Sequence, residues 1–380
     1  MVNKNVIEYK NLCAFHPGYY IEELVEEYGI TQNEFALRMG TTPKTLSELI
    51  NGIANLSNDL AKKLSVMTGT SVELWLNLQS SYDQKLIEIS KEKDFDEQKE
   101  VLKQIDYSYF VNVANLPKTN NSSEKIANLC KYFTISDLRI LKKQDFLVNY
   151  RTSLNSTSEK NIINSQAWLQ TAINFLKSVE TKKYDENKLK NYLPTLRSMT
   201  IEETEKFLPK IKEILAECGV AFVLLPHLKN SRINGAVKWI NEDRVVLAMN
   251  NRKLNADIFW FSFFHEIKHV FQRKLKTTFI SCTDTEMVER NKKLEEEADN
   301  FSANYLIRKE DLTKLSLTKY ITDEEIKAFA KKIGIHPGIV AGRLQHEGIL
   351  PMTRCAKLKT QYFILSLIHI SEPTRLLSIS

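Results

Sequence analysis

The residues with the clearest chemical potential lie in the stretch 265–269, which reads His-Glu-Ile-Lys-His. Residues four apart share one face of a helix about one turn apart, so the imidazoles of His265 and His269 can bind the same zinc ion. Glu266 can then act as general base toward a water that zinc activates at neutral pH. The spacing therefore predicts a zinc site with hydrolytic chemistry.

The alternative interpretation is a helix that carries two histidines by chance. The chain has only 7 histidines, and at that frequency the pattern should arise on the order of 0.01 times. The predicted helix is otherwise strongly apolar, with aliphatic and aromatic residues from Ile258 to Phe271. Because a buried helix rarely keeps two histidines and a glutamate on one stripe without partners, the context favours the metal site.

A catalytic zinc also needs a third protein ligand and an open position. The acidic run 295–297 lies downstream in a predicted helix, where Glu295 shares a face with Ala298, Asp299 and Ser302. Small residues on that face would let the two helices approach closely, and Asp299 could accept the second ring N–H of a ligand histidine. The pattern favours Glu295 as the third ligand. The alternative is that all three glutamates form a solvated acidic face.

These two helices together resemble the ImmA/IrrE family of zinc metallopeptidases, over about residues 204–357. Residues 335–346 also look like the C-terminal segment of that family. The resemblance implies that zinc is the cofactor and that peptide-bond hydrolysis is the activity. It also implies a role for each matched residue, with His265, His269 and Glu295 as zinc ligands and Glu266 as the base.

The chain departs from the family pattern at the end of the third-ligand helix. The family usually has a Leu-Met-Pro-like sequence there, whereas residues 306–308 read Leu-Ile-Arg, so we expect the rim of the cleft to differ. His346, near the end of the matched region, is a candidate donor to a transition-state oxyanion, although a lone histidine is more often structural. Some relatives sense or sequester rather than cut, so the resemblance leaves cleavage open.

A second pattern lies in Gln32–Ile50, which reads as a helix, a Gly-Thr-Thr turn and a second helix. This is the two-helix unit with which many regulators read DNA. Phe35, Ala36, Leu46 and Leu49 would form its core. The residues predicted to face phosphates or base edges are polar or basic: Gln32, Thr42, Lys44, Thr45, Ser47 and Asn51.

Residues 15–79 resemble the HigA-type antitoxin family of the Xre class, from an opening Phe-His-Pro-Gly to a closing Trp-Leu-Asn-Leu-Gln. The resemblance implies repression of the protein's own operon, commonly as a dimer, and neutralisation of a toxin. His16 matches the family's opening motif, and we expect it to cap or pack rather than to catalyse.

The charge distribution argues against simple DNA binding. The whole chain has a net charge of +6, but residues 1–90 hold 7 Lys and Arg against 11 Asp and Glu, a net charge of −4. DNA binding requires the opposite arrangement. The alternative is a helical domain that docks a protein, although a local basic face around Arg38 and Lys44 could suffice in a dimer.

Helical and strand periodicities predict the elements that position these residues. We expect five short helices within residues 17–90, with Thr31 as an N-cap and Glu34 completing its capping box. A long apolar helix should run from about Asn255 to Gln272, with two more helices at 286–307 and 323–333. Three strands should precede it: Val220–Leu225, Gly235–Ile240 and Arg244–Met249.

The expected fold is mainly α with an α+β C-terminal domain. It consists of an N-terminal five-helix lambda-repressor-like bundle, a helical middle region without an interpretable motif, and a small sheet packed on the H-E-x-x-H helix as in zincins. The expected boundaries are residues 1–90 for the helix-turn-helix domain, 91–203 for the middle region and 204–360 for the metallopeptidase-like domain.

Cysteine spacing and hydropathy indicate the compartment in which the protein works. The 5 cysteines are scattered without a C-x-x-C pair, which favours reduced thiols in the cytoplasm over a disulfide framework. Neither a signal peptide nor a run of about 18 apolar residues is present, so no membrane association is expected. Residues 365–375 resemble a translated sequencing adapter, so residues 365–380 are assigned no part in the fold or the function.

The favoured interpretation is a cytoplasmic DNA-binding regulator with a zinc-dependent endopeptidase domain that cleaves a repressor, a toxin or the protein itself. The first alternative is a HigA-type antitoxin and autorepressor whose metal domain senses or binds without cutting. The second is a non-catalytic protein-interaction module. The expected partners are operator DNA, a protein substrate and a second copy of the chain. The sequence alone names neither substrate, operator nor activating signal.

Overall fold

The chain divides into two units, residues 1–100 and 101–380, each with its own hydrophobic core. A computed structural model describes residues 5–143, 158–177, 179–231, 233–252, 255–272, 284–315 and 320–362, with the backbone alone over 284–291. These residues are mainly helical, and none of their helices is long and apolar enough to cross a bilayer. Cys282 and the adapter-like segment 365–380 lie outside them.

The N-terminal unit is a β-hairpin followed by five helices, as many as the sequence predicts. The strands are β1 (Val6–Tyr9) and β2 (Leu12–Phe15), and the helices are α1 (Pro17–Glu27), α2 (Gln32–Arg38), α3 (Pro43–Ile50), α4 (Asn58–Thr68) and α5 (Val72–Leu102). The core of the bundle includes the four apolar side chains assigned to it from sequence, all of them fully buried.

Local capping explains where these helices begin. The Thr31 side chain accepts a hydrogen bond from the backbone N–H of Glu34 at 3.2 Å, and Thr42 caps α3 in the same way, with Pro43 in the first turn. The predicted capping box at Thr31 is only half formed, because the Glu34 carboxylate pairs with Arg38 instead of returning to the N-cap. A complete capping box opens a later helix, at Thr322.

The hairpin and the length of α5 were not predicted. β1 and β2 pair antiparallel, and their apolar residues pack on α5 around Tyr82 and Ile89. The Tyr9 hydroxyl donates to Asp96 of α5 at 2.7 Å. The charged residues 91–99 therefore belong to α5 and support the hairpin.

The C-terminal unit has ten helices among the residues that the structure describes. They are α6 (Tyr107–Ala114), α7 (Ser122–Phe133), α8 (Glu159–Leu176), α9 (Glu186–Ser198), α10 (Thr204–Glu217), α11 (Ala256–Phe271), α12 (Asp284–Leu306), α13 (Lys309–Leu312), α14 (Asp323–Ile333) and α15 (Pro337–His346). Short 3-10 turns cover Leu138–Lys142, Met199–Ile201 and Ala356–Leu358.

The three predicted strands are confirmed as β3 (Val220–Leu225), β4 (Gly235–Asn241) and β5 (Arg244–Asn250). β5 is central, parallel to β3 and antiparallel to β4, which leaves β4 as an edge strand. Alternate residues of β3 point to opposite faces, as the period of a strand requires. Phe222 packs in the core with α11, whereas Ala221 packs with Leu176 of α8.

The small sheet therefore lies between two helical layers. α11 contacts β4 and β5 on one face, and α8 contacts β3 and β5 on the other. This agrees with the expected packing of a sheet on the H-E-x-x-H helix. Because α8 comes from the middle region, that region supplies part of the cover of the sheet. The predicted boundary between residues 203 and 204 stays a prediction.

Candidate functional site

The structure brings together the three residues predicted to bind metal. Helix α11 places His265 and His269 one turn apart, with their Nε2 atoms 2.9 Å from each other. Glu295 of α12 lies with Oε2 3.3 Å from His265 Nε2 and Oε1 3.5 Å from His269 Nε2. One potential ligand atom from each residue falls within 4.8 Å of the others. The cluster has the donor set and the compactness of a site for one metal ion.

Small residues of α12 let the two helices approach, as the sequence predicted. Ala298 and Ser302 are fully buried, and the Ser302 hydroxyl donates to the backbone carbonyl of Phe261 on α11 at 2.7 Å. Glu295 precedes Ser302 by seven residues, which is about two helical turns. The contact at Ser302 therefore fixes the register that points Glu295 toward the histidines.

Each histidine of the cluster is oriented through its other ring nitrogen. Nδ1 of His265 lies 2.8 Å from Asp299 Oδ1, the partner expected from sequence. Nδ1 of His269 lies 2.7 Å from Gln272 Oε1, and Gln272 donates in turn to the Leu294 carbonyl of α12 at 3.0 Å. Partners of this kind orient metal-binding histidines. Sequence reasoning missed Gln272, although its position three residues after His269 was an available signal.

The electrostatics of the cluster favour a positive charge between the histidines and the glutamate. Burial disfavours the charged form of His265, but its hydrogen bonds with Asp299 and Glu295 outweigh burial and raise its pKa to about 10. Burial also opposes ionisation of Glu295, yet its hydrogen bonds with the two histidines hold its pKa at about 2. Without metal the cluster is thus an ion pair, and a divalent cation would place its positive charge at the same point.

Glu266, the predicted base, lies beside the cluster and outside the set of converging ligand atoms. It is 7% exposed and its side chain packs over Gly235, the first residue of edge strand β4. A Cβ at position 235 would lie 2.6 Å from Glu266 Oε1, so the absence of a side chain at Gly235 leaves room for the carboxylate where it lies. Strand β4 therefore fixes one side of the candidate base.

The cluster opens into a cleft of about 970 Å³. Residues of β4, α11, α12 and α15 line it together with a C-terminal segment, and the lining is mostly apolar apart from the cluster and a few charged groups. Leu306 and Ile307, where the family's proline motif is absent, are among the lining residues. So is His346, whose proposed role toward an oxyanion stays a prediction. A cleft of this size is typical of ligand sites.

Glu295→Gln should weaken metal binding far more than Glu296→Gln or Glu297→Gln. Successive helical residues differ by about 100° in direction, so only one of the three can point at the histidines. Glu296 is exposed, and Glu297 lies near Lys268 at 3.6 Å. The measurement is zinc affinity by competition with a chelator. If either control variant proved the more damaging, the register of α12 would be wrong.

The residues predicted to contact DNA lie on or beside α2 and α3. Gln32, Thr42 and Lys44 are exposed at the start of these helices. Thr45, Ser47 and Asn51 lie further along α3 and are half-buried. Several of them bond to one another: the Thr42 and Thr45 hydroxyls are 2.8 Å apart, and Asn51 donates to the Ser47 carbonyl at 2.7 Å. These four residues therefore stabilise the ends of α3, besides any contact with DNA.

The basic face expected around Arg38 and Lys44 is offset by acids of the same helices. Arg38 pairs with Glu34, and Lys44, whose side chain is 85% exposed, lies 3.8 Å from Glu48. Exposed pairs of this kind are weak and exchange readily, so both cations remain available to a phosphate. His16 acts as predicted: its Nδ1 accepts from the backbone N–H of Gly18 at 2.9 Å and caps α1.

Comparison with known proteins agrees with this geometry, which defines a helix-turn-helix protein with a peptidase-like metal domain. Residues 21–75 match the helix-turn-helix family, and residues 225–345 match the IrrE N-terminal-like domain of peptidase family M78. The chain therefore contains a helix-turn-helix domain, and a separate region of it is similar to the IrrE N-terminal-like domain.

The N-terminal region also has individual relatives. It is 38% identical over 79 residues to the HTH-type transcriptional regulator YddM of Escherichia coli strain K12, covering 20% of this chain and 84% of YddM. It is 41% identical over 61 residues to antitoxin HigA-1 of Vibrio cholerae, covering 16% of this chain and 57% of HigA-1. A solved HigA-family antidote protein from Coxiella burnetii is 30% identical, with 22% of this chain and 91% of that chain covered and a TM-score of 0.20.

Proposed function

We propose that this chain is a DNA-binding regulator whose C-terminal domain is a zinc-dependent endopeptidase. The observation that carries the proposal is the convergence of His265, His269 and Glu295, with Glu266 beside them in an open cleft. The proposed substrate is a regulatory protein: a toxin, a repressor or the chain itself. The direct test is cleavage of such a protein by the wild type and its absence with Glu266→Gln.

The residues present fit zinc. Two imidazole nitrogens and one carboxylate are a common catalytic zinc set, which leaves a fourth position open. The Nδ1 atoms of both histidines lie against oxygen atoms of Asp299 and Gln272, which leaves the Nε2 atoms for the metal. Bound there, zinc would supply a Lewis acid and a water activated at neutral pH. His265, His269 and Glu295 would hold it.

The protein residues of the cleft have separate tasks in this proposal. Glu266 takes the proton of the attacking water on its carboxylate, and Gly235 gives that carboxylate space. The apolar lining of the cleft excludes water from the bound peptide and strengthens the electrostatic interactions there. Asp299 and Gln272 keep the histidines oriented.

A second candidate function is an antitoxin and autorepressor whose metal domain binds or senses without cutting. The membership of residues 21–75 in the helix-turn-helix family and the similarity to antitoxin HigA-1 favour it. In that case the partners would be operator DNA and a toxin, with the chain acting as a homodimer. Metal retained without cleavage would support this candidate. Absence of metal would favour a pure protein-interaction module.

We expect the full chain to bind a two-fold-symmetric operator with steep salt dependence. Lys44→Ala should weaken binding to every sequence and reduce the salt slope by about 1 for each phosphate that the variant no longer neutralises. Ser47→Ala or Asn51→Ala should instead reduce discrimination between operator and random DNA. The measurement is a gel-shift titration at several salt concentrations, with DNA from upstream of the protein's own gene.

Lys85→Ala is the matched control for Lys44→Ala, because Lys85 is also an exposed lysine with a nearby glutamate, on α5. It should leave operator affinity unchanged. Asn51 also supports the end of α3, so thermal unfolding must show that its variant keeps the fold. If the wild type shifted no DNA even at low salt, the N-terminal unit would be a protein-docking domain.

A further inference from the structure

One end of the cleft contains charged groups that the proposed chemistry does not use. Asp257 in the first turn of α11, Arg343 of α15 and Lys359 all line the cleft. Asp257 precedes His265 by eight residues, which corresponds to about 12 Å along the helix axis. Position 342 lies against Asp257, since a Cβ there would meet its Oδ2 at 2.7 Å. Asp257 and Lys359, which pairs with it, are therefore well separated from the metal cluster.

Of the charged side chains at this end of the cleft, those that are least exposed to solvent carry a net positive charge. Lys359 Nζ pairs with Asp257 Oδ2 at 2.6 Å, and their side chains are 15% and 10% exposed. Arg343 Nε donates to Glu347 Oε1 at 2.6 Å, but Arg343 is 14% exposed whereas Glu347 is 31% exposed. Solvent therefore screens Glu347 more than it screens the other three. Two enclosed cations and one enclosed anion leave one positive charge in excess.

Arg343 also has unused hydrogen-bonding capacity. A guanidinium has five N–H donors, and Nε is its only nitrogen with a hydrogen-bond partner among the described residues. Nη1 is buried without a hydrogen-bond partner among those residues. Leaving a charged donor buried and unpaired costs folding free energy. Oδ1 of Asp257 is buried without a partner among those residues as well. The charge of Asp257 is nevertheless compensated by Lys359 and by the positive end of α11.

We infer that Arg343 binds a carboxylate of the peptide substrate and so sets a preference for an acidic group at this end of the cleft. The inference rests on the proposed peptidase function. Nη2 of Arg343 has no hydrogen-bond partner among the described residues and is not one of the buried atoms, so this planar donor, which lysine lacks, can donate to a carboxylate. Arg343 follows position 342, which lies against Asp257, so we place the recognised group several residues from the cleaved bond. It is either an acidic side chain or the C-terminal carboxylate of the substrate.

The test uses the zinc-loaded full chain and short peptides that carry a hydroxamate at one end, which anchors on the metal. One series has Glu, Gln or Leu at each successive position away from the anchor. In a second series the hydroxamate is at the N-terminal end, and the C-terminal carboxyl group is either free or amidated. Isothermal titration should show that one position, or the free terminus, binds about 10- to 100-fold more tightly as the carboxylate than as the amide. The series that shows the preference identifies which carboxylate is recognised.

Arg343→Met should abolish this preference, and Arg343→Lys should restore only part of it. Glu347→Gln, which removes the ion pair but keeps the guanidinium, should preserve or increase it. Equal binding of acid and amide probes throughout, or a preference that survives in Arg343→Met, would overturn the inference and leave the metal site intact. If no probe bound at all, the metal site would be contradicted, and the assignment of Arg343 with it.

Discussion

Glu266→Gln should abolish proteolysis while leaving zinc content and fold unchanged. The substitution is nearly isosteric, and the carboxylate of Glu266 lies outside the set of converging ligand atoms. What disappears is the group that accepts a proton from the attacking water, a contribution of about 10²–10⁴ in rate. We therefore expect the wild type to cleave a partner that the variant leaves intact. Mass spectrometry of the cleavage products, with zinc analysis of both proteins, measures the difference.

The first partner to test is the product of the neighbouring gene, and the second is a co-encoded repressor. Glu296→Gln is the matched control, because Glu296 is exposed and lies outside the metal cluster. It should cleave like the wild type. If wild type and Glu266→Gln carried equal zinc and neither produced a fragment in cell extract, the peptidase proposal would fail. The antitoxin candidate would then take its place.

His265→Ala or His269→Ala should largely empty the metal site, which in the wild type should hold about one zinc per chain. Each variant removes a nitrogen ligand and leaves Glu295 without one of its two histidine partners. Removing a residue that only supports a ligand typically costs about 10- to 100-fold in affinity, and removing the ligand itself should cost more. The measurement is metal content after dialysis, followed by competition with a chelator.

The matched control is His346→Ala. His346 also lines the cleft, but it is exposed and does not belong to the cluster. Its variant should keep the full metal content. The metal content of Asp299→Ala and of Gln272→Ala should lie between that of this control and that of the ligand variants, because each residue orients one histidine. Equal zinc in the wild type and in both ligand variants would rule out the assigned site.

The helices that carry the site could be predicted from the sequence, because side-chain spacing and helix caps depend only on residues that are close together in the chain. Two histidines four residues apart need only a helix to share a face. Glu295, Ala298 and Ser302 share a face of α12 for the same reason. Helix caps such as Thr31 depend on neighbours within three residues. Each of these interpretations therefore needed no knowledge of the tertiary structure.

The sequence predicted that α11 and α12 meet, but the tertiary structure alone decided several other contacts of the site. It placed Gly235 under Glu266, joined Gln272 to α12 and brought Arg343 into the cleft of the metal cluster. It also showed that Glu34 pairs with Arg38 instead of completing a capping box. The first three of these contacts join segments that are far apart in the chain. The Glu34 contact instead depends on which of two nearby partners the carboxylate reaches. Residue type and period determine the face of a helix, but only packing determines what that face meets.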